Sequence, residues 1–211
     1  MKLPAIKAYV LVITGPSGVG KSTVCRELLK RHDNLVYSVS VTTRGMRAGE
    51  IEGKDYFFVK RQRFKELIDA GDLIEWAEVY GEYYGTPGKF IEDSLKSGRC
   101  VLIDADVQGG ARLREHFADG VFIFLLPPSL EVLTARLSGR GTESKEVREE
   151  RIESAGREME EVYEYSYVVV NDELDGTVQT IMEIMNAERH SVGRISDLSG
   201  WLDRLKGMAV S

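Results

Sequence analysis

Four uniformly apolar runs punctuate the chain: Tyr9 to Thr14, the start of "RCVLIDAD" (99–106), "VFIFLLPP" (121–128) and "YVVVND" (167–172). Runs this short predict strands buried on both faces, as in a parallel sheet covered by helices. The segments between them have helical spacing. Lys21 to Arg31 sets Val24, Leu28 and Leu29 on one side, and "LDGTVQTIMEIMNAERH" sets Val178, Ile181, Met182 and Met185 on one face. "RFKELIDAG" and "KFIEDSLKSG" each end at a glycine that can stop a helix. "VQGGARLREHF" predicts a helix weakened by Gly109 and Gly110, and Ser129 is placed to N-cap "LEVLTARL". Strands alternating with helices predict an α/β fold with a parallel central sheet.

The stretch from about 37 to 90 departs from this alternation. "NLVYSVSVTTR" predicts a strand, "GMRAGEIEGKD" a loop, "YFFV" a short strand, "LIEWAEVY" a half-exposed strand and "YYGTP" a turn. Shorter, half-polar strands predict an inserted subdomain, which leaves a core of about 7–36, 99–137 and 152–190. "SGRGTESKEVREERIESAGREMEEVYEY" begins as a polar loop and becomes a charged helix, so 138–151 is expected to be a lid. Residues 191–211 are expected to be a C-terminal extension with a short amphipathic helix and no assigned role. All 211 residues fit a single domain.

Composition narrows the classes. Lys and Arg number 28 against 34 Asp and Glu, a net charge of −6. An acidic chain is poorly suited to general nucleic-acid binding, which rests on neutralising phosphates. The two cysteines, Cys25 and Cys100, sit in apolar segments and read as small buried hydrophobes, with no disulfide framework and no metal-type spacing. The start, "MKLPAIKAYVLVITG", has no signal-peptide cleavage pattern, and its apolar run is too short to span a bilayer. The expectation is a soluble, cytoplasmic protein with no membrane partner. Oligomeric state stays open.

The sharpest chemistry lies between the first strand and the first helix. "GPSGVGKS", residues 15–22, fits G-x-x-x-x-G-K-[ST] throughout. Gly15, Gly18 and Gly20 let backbone N–H groups converge on phosphate oxygens, and the helix starting near Lys21 adds its positive end. Lys21 supplies charge to the β- and γ-phosphates, and the Ser22 hydroxyl suits Mg²⁺. This predicts a nucleoside triphosphate site and says nothing of the acceptor. "VLIDAD" ends in Asp104 and Asp106, two apart on one side of an extended chain, where a direct or water-mediated Mg²⁺ partner belongs. Two solvated surface acids are the alternative.

The acceptor is read from the middle segment. Ser40, Arg44, Arg47 and Tyr56 fall within seventeen positions. Two arginines three apart can grip one phosphate through forked donors, and Tyr56 and Tyr84 can donate to the same group. That suits a monophosphate better than a protein hydroxyl. Glu75 sits in the mostly apolar "LIEWA", where an unpaired carboxylate is costly to bury. Guanine offers N1–H and N2–H₂ side by side to a carboxylate, whereas adenine would leave Glu75 unpaired. Ser40, Thr86 and Asp106 are candidate supporting contacts. A solvated arginine loop and a Glu75 pointing to water remain the plainer alternatives.

Together "GPSGVGKST", "SVSVTTR-x-x-R-x-GE-x-x-G-x-DYFFV", "LIEWAEVYG-x-YYGTP", "VLIDADVQG", "FIFLLPPSLEVL-x-x-RL-x-x-RGTES" and "YVVVND" resemble guanylate kinase over about residues 9–190. The resemblance implies a P-loop NTPase three-layer fold, a GMP-binding subdomain and a lid. It implies Mg²⁺-dependent transfer of the ATP γ-phosphate to GMP, giving ADP and GDP. GMP contacts then fall on Ser40, Arg44, Arg47, Tyr56, Glu75, Tyr84, Thr86, Asp104 and Asp106. The ATP phosphates fall on Gly15, Pro16, Ser17, Gly18, Val19, Gly20, Lys21, Ser22 and Thr23, with Mg²⁺ at Ser22 and Asp104. Arg136 and Arg140 match lid arginines, Arg151 lies on the following helix, and Asn171 matches the adenine contact. Lys21, Arg47, Arg140 and Arg151 would surround the transferring group. Two other readings stay open. One is a P-loop kinase for another phosphorylated acceptor, such as a ribosyl phosphate. The other is a non-catalytic guanylate kinase-like binding module, although such a module need not keep the phosphate loop.

Overall fold

Residues 4–79, 81–138 and 145–208 are described by the structure, a computed structural model; the side chains of 138 and 145–151 fall outside that description. The strands are β1 (Val10–Thr14), β2 (Leu35–Tyr37), β3 (Val41–Thr42), β4 (Phe57–Phe58), β5 (Leu73–Val79), β6 (Glu82–Pro87), β7 (Cys100–Asp104), β8 (Val121–Leu126) and β9 (Tyr167–Val170). The helices are α1 (Lys21–Arg31), α2 (Arg61–Asp69), α3 (Gly88–Lys96), α4 (Val107–His116), α5 (Leu130–Ser138), α6 (Lys145–Glu160), α7 (Leu174–Glu188) and α8 (Leu198–Met208).

A five-stranded sheet in the order β2-β7-β1-β8-β9 is parallel throughout. β1 is buried at every residue because both faces are covered. Leu11, Ile13, Ile123 and Leu125 pack with Val24 and Leu28 of α1 and with Val178 and Ile181 of α7. Val10, Val12, Ile103 and Phe122 pack with Ile91 of α3 and Leu113 of α4. Each such side chain contributes about 1.5–3 kcal/mol by leaving water. The chain runs from β1 to β2 on one side and reaches β8 and β9 on the other. A crevice therefore opens at the carboxyl ends of β1 and β7, where open α/β sheets bind ligands.

A second sheet, in the order β4-β3-β6-β5, pairs β3 with β6 and β5 with β6 antiparallel, and β3 with β4 parallel. Phe64 of α2 is fully buried and stacks on Tyr83, with centroids 5.5 Å apart. Arg112 of α4 donates to the Trp76 carbonyl at 2.5 Å, tying the first sheet's helices to β5.

Three expectations are corrected. "NLVYSVSVTTR" is two strands, not one. Ser38 N–H still bonds to Leu102 O at 2.9 Å, but Val41 already pairs with Gly85, so the run leaves one sheet and enters the other. "YYGTP" is strand β6, not a turn; the turn lies at Gly81, with φ 78°. Gly85 marks a close approach, because a Cβ there would meet Leu73 Cδ1 at 2.8 Å and Glu75 O at 3.2 Å. "YVVVND" is buried on one face only. β9 is the edge strand, and Val168 and Val170 are 53% and 51% exposed while Val169 packs toward α7.

Two further readings agree with the structure. Lys21–Arg31 is helical as read, and Ser129 Oγ accepts from Val132 N–H at 3.3 Å as an N-cap. The tail is more than an appendage. Lys7 N–H donates to Arg194 O at 2.7 Å and Ser196 N–H to Ala5 O at 2.9 Å. Arg194 is 9% exposed, lies 4.5 Å from the Tyr9 ring centroid and pairs with Glu188 at 3.3 Å. Residues 194–196 thus clamp the strand-entry segment, and α8 follows. No helix among the described residues is long and apolar enough to cross a membrane.

Gly85→Ala is expected to destabilise the protein by about 1–3 kcal/mol, because Leu73 and the β5 backbone must move. Thermal unfolding should show a midpoint lower by about 2–10 °C. An unchanged midpoint would remove the close-approach explanation for this glycine.

Candidate active site

β1 delivers Gly15 to the crevice, and α1 starts at Lys21. Between them Gly20 has φ 106°, and a Cβ there would meet Asn171 Nδ2 at 2.5 Å, so both backbone and space require glycine. The loop's inward carbonyls have named partners. Lys21 Nζ donates to Gly15 O at 2.7 Å and Pro16 O at 3.4 Å. Val19 O accepts from Asn171 Nδ2 at 2.7 Å and from an Arg136 guanidinium nitrogen at 3.1 Å. Arg136 also donates to Asn171 O at 3.3 Å. Asn171 is only 6% exposed. The two residues expected at the nucleotide thus brace the loop from beneath.

Ser22 Oγ donates to Asp104 Oδ2 at 2.9 Å beside Lys21. Burial pushes the Asp104 carboxyl above its ordinary value, against the pull of Lys21 and the Ser22 hydroxyl. No cluster of three or more His, Cys, Asp or Glu among the described residues could cage a metal. A hydroxyl and a carboxylate side by side do fit Mg²⁺, which keeps several waters and takes one or two protein oxygens next to phosphates.

The second sheet faces the same crevice. Arg44 makes a forked pair with Glu50, at 3.0 and 2.8 Å, and its guanidinium carbon lies 5.3 Å from the Tyr56 centroid. Glu50 also accepts from Arg47 N–H at 2.7 Å. The Arg44 guanidinium holds the Glu50 carboxyl below its ordinary range. Arg44 is therefore aimed, while the Arg47 side chain reaches out exposed. Tyr56 and Tyr84 meet edge to face at 6.0 Å, and burial raises the Tyr56 hydroxyl pKa. On β5, Glu75 is half-buried and accepts from Thr86 Oγ1 at 2.5 Å, with Thr86 itself 2% exposed. Burial raises the Glu75 pKa, opposed first by the Thr86 hydrogen bond, with Asp106 adding to the rise. Asp106 lies just past the strand end and N-caps α4, accepting from Gly109 N–H at 2.7 Å.

One groove of about 1120 Å³ joins these parts. Gly15, Ser17, Gly18, Gly20, Lys21, Ser22 and Thr23 line one end; Ser40, Arg44, Arg47, Tyr56, Glu75, Tyr84 and Thr86 line the other; Asp104 and Asp106 lie between. Pro16 and Val19 contribute carbonyls to loop bracing rather than to the lining. Arg140 lies outside the described residues, as do residues 139–144 of the expected lid. Arg151 is on α6, with its side chain outside the description. Sequence reasoning missed Glu50 and Glu158. Glu50 is a fixed letter of the quoted R-x-x-R-x-GE motif, six positions after Arg44, but the sequence alone gives it no role. Glu158 is one acid among many on α6.

A sequence model of guanylate kinase matches residues 7–188 of the chain. The chain belongs to the guanylate kinase family. It is 46% identical over 192 residues to the guanylate kinase of Caldanaerobacter subterraneus subsp. tengcongensis, covering 91% of this chain and 93% of that protein. It is 47% identical over 182 residues to that of Halalkalibacterium halodurans, covering 86% and 89%. The crystal structure of guanylate kinase from Anaplasma phagocytophilum superposes with a TM-score of 0.80 at 35% identity, covering 96% of each chain. The family match spans both sheets, so the groove between them lies wholly within guanylate kinase sequence.

Glu75 carries a stability cost that can be measured. A carboxyl whose folded pKa is raised favours the protonated native state, so stability falls as pH climbs from the ordinary 4.5 through the folded value. Glu75→Gln keeps an oxygen for Thr86 and removes the charge. Its melting temperature should exceed wild type at neutral pH, with the gap closing as pH drops below 4.5. A gap that does not change with pH would assign the effect to packing.

Proposed function

We propose that this chain is a guanylate kinase that transfers the γ-phosphate of ATP to GMP, giving ADP and GDP. The observation that carries the reading is Glu75, a half-buried carboxylate with Thr86 as its hydroxyl donor, opening on the groove that the phosphate loop also enters. Guanine's N1–H and N2–H₂ would complete its hydrogen bonds. Adenine would leave a desolvated carboxylate facing an acceptor, a mismatch worth ~10⁴ or more in discrimination. In this reading residues 37–90 form the GMP-binding unit, 138–151 the lid, and 7–36, 99–137 and 152–190 the core. Arg44, Arg47, Tyr56 and Tyr84 would hold the GMP phosphate, and Ser40, Thr86 and Asp106 would support Glu75 at the base. Free, buried Cys25 and Cys100 suit the reducing cytoplasm.

The acceptor is already an anionic oxygen, so no strong general base is needed. Catalysis is alignment plus charge stabilisation. The loop N–H groups and Lys21 would orient the donor phosphates, with Arg136 and Asn171 holding the loop's shape. Arg44, fixed by Glu50, would hold the acceptor phosphate in line. Arg47, Arg140 and Arg151 would converge on the transferring group, and such arginines contribute ~10³–10⁵ in rate. Mg²⁺ held by Ser22 and Asp104 would offset charge on the donor phosphates. Drawing the second sheet toward the core would exclude water, the competing acceptor.

The direct test is ADP formation from ATP and Mg²⁺ with GMP or AMP in parallel. Rapid turnover with GMP and almost none with AMP is expected. Turnover with neither would favour another phosphorylated acceptor. Glu75→Gln should raise KM for GMP at least about tenfold, and lowering pH should raise the wild-type KM before an ordinary glutamate would begin to protonate. Arg140→Ala should lower kcat at least about 100-fold, with a smaller rise in KM for GMP. An unchanged kcat would remove Arg140 from the mechanism.

A further inference from the structure

One phosphate-loop donor is already held by an anion of the chain's own. Ser17 N–H donates to Glu158 Oε2 at 3.2 Å, across 141 residues of sequence. The other carboxylate oxygen, Oε1, accepts from Ser154 Oγ at 3.1 Å, one helical turn back on α6. Glu158 also lines the groove. Packing aims it there. Leu133 and Leu137 of α5 bury against Ala155 and Ile152 of α6, and Leu137 lies under Gly18 of the loop. Ala155 and Glu158 are three apart and so share one face of α6.

Backbone N–H groups of such a loop are anion donors, and a carboxylate on one of them occupies an anion's place. We propose that Glu158 is a positioning residue of the phosphoryl-donor site: its carboxylate holds Ser17 N–H in the nucleotide-free chain and is displaced by a phosphate oxygen of ATP. The inference rests on the donor-site reading given above. Two effects follow. The loop keeps a paired N–H and a defined shape while empty. ATP binds less tightly than the loop alone would allow, because it must displace a like charge.

The test compares wild type, Glu158→Gln and Glu158→Ala by calorimetric titration with ATP and Mg²⁺ and, separately, with GMP. Thermal unfolding confirms that each variant is folded. ATP affinity should rise roughly three- to tenfold in both variants. KM for ATP should fall in step, while GMP affinity stays within about twofold of wild type, a factor small on the free-energy scale. The wild-type-to-Gln ratio for ATP should shrink as KCl is raised toward ~1 M, as a charge effect requires and a packing effect does not. Unchanged or weakened ATP binding in the Gln variant, with wild type binding ATP normally, would overturn the proposal alone. A wild-type chain that binds no ATP would overturn the donor-site reading and this inference with it.

Discussion

A loop that turns its N–H groups toward an anion must turn its carbonyls toward something else, because buried carbonyls need donors. In this chain those donors come from far along the sequence. Lys21 serves Gly15 and Pro16 from within the motif, but Val19 O depends on Asn171 and Arg136. Asn171 reaches it because β9 extends the sheet beside β8 and its own N–H bonds to Leu126 O at 2.7 Å. Arg136 reaches it because α5 packs beneath the loop. The edge strand and α5 are thus placed where the loop's carbonyls need them. This accounts for an apolar edge strand ending in a buried amide.

The other end of the groove handles charge in two opposite ways. Arg44 has its counter-charge built in, so Glu50 fixes its direction before any ligand arrives. Among the described residues Glu75 has one hydrogen-bond partner, the neutral Thr86 hydroxyl, and is partly desolvated. A preset cation positions an anion without discriminating strongly among anions. A half-satisfied carboxylate discriminates, because a ligand with two adjacent donors relieves it and a ligand with an acceptor worsens it. In the proposed reading positioning and recognition are therefore separated, with the phosphate grip on the Arg44 loop and base selection on β5.

The three inner strands of the central sheet were legible because their residues obey one local rule. A strand covered on both faces has nothing polar to show, and β1, β7 and β8 show nothing polar until their ends. The phosphate loop was legible because its glycines and its Lys-Ser pair serve geometry that no other residues satisfy. The second sheet was only half legible. "YYGTP" carries turn residues, yet Gly85 is there to admit Leu73 and the β5 backbone, a tertiary demand with the same local signature as a turn. The roles of Glu50 and Glu158 were hidden for a related reason. Each acquires meaning from a partner, Arg44 or Ser17, and a surface-like acid looks the same whether or not that partner is near. The bracing role of Asn171 and Arg136 likewise depends on Val19 O, a backbone atom that no side-chain pattern announces.

That partner dependence explains how an acidic chain can serve anionic ligands. Among the described residues the groove is lined by five cations, Lys21, Arg26, Arg44, Arg47 and Lys54, and by six acids, Glu50, Asp55, Glu75, Asp104, Asp106 and Glu158. A field that nearly balanced would not concentrate a polyanion such as nucleic acid. The acids are not idle, however. Glu50 holds Arg44, Asp55 holds Ile51 N–H, Glu75 holds Thr86, Asp104 holds Ser22, Asp106 holds Gly109 N–H, and Glu158 holds Ser17 N–H. Each fixes a hydrogen-bond donor, and all of these donors except Ile51 belong to residues lining the groove. Arg44 has N–H groups beyond those given to Glu50, so in the proposed reading it meets a small anion with its direction set in advance, at short range where screening by salt is weak. The Glu50 charge, which would repel a phosphate at a distance, is what aims Arg44 up close.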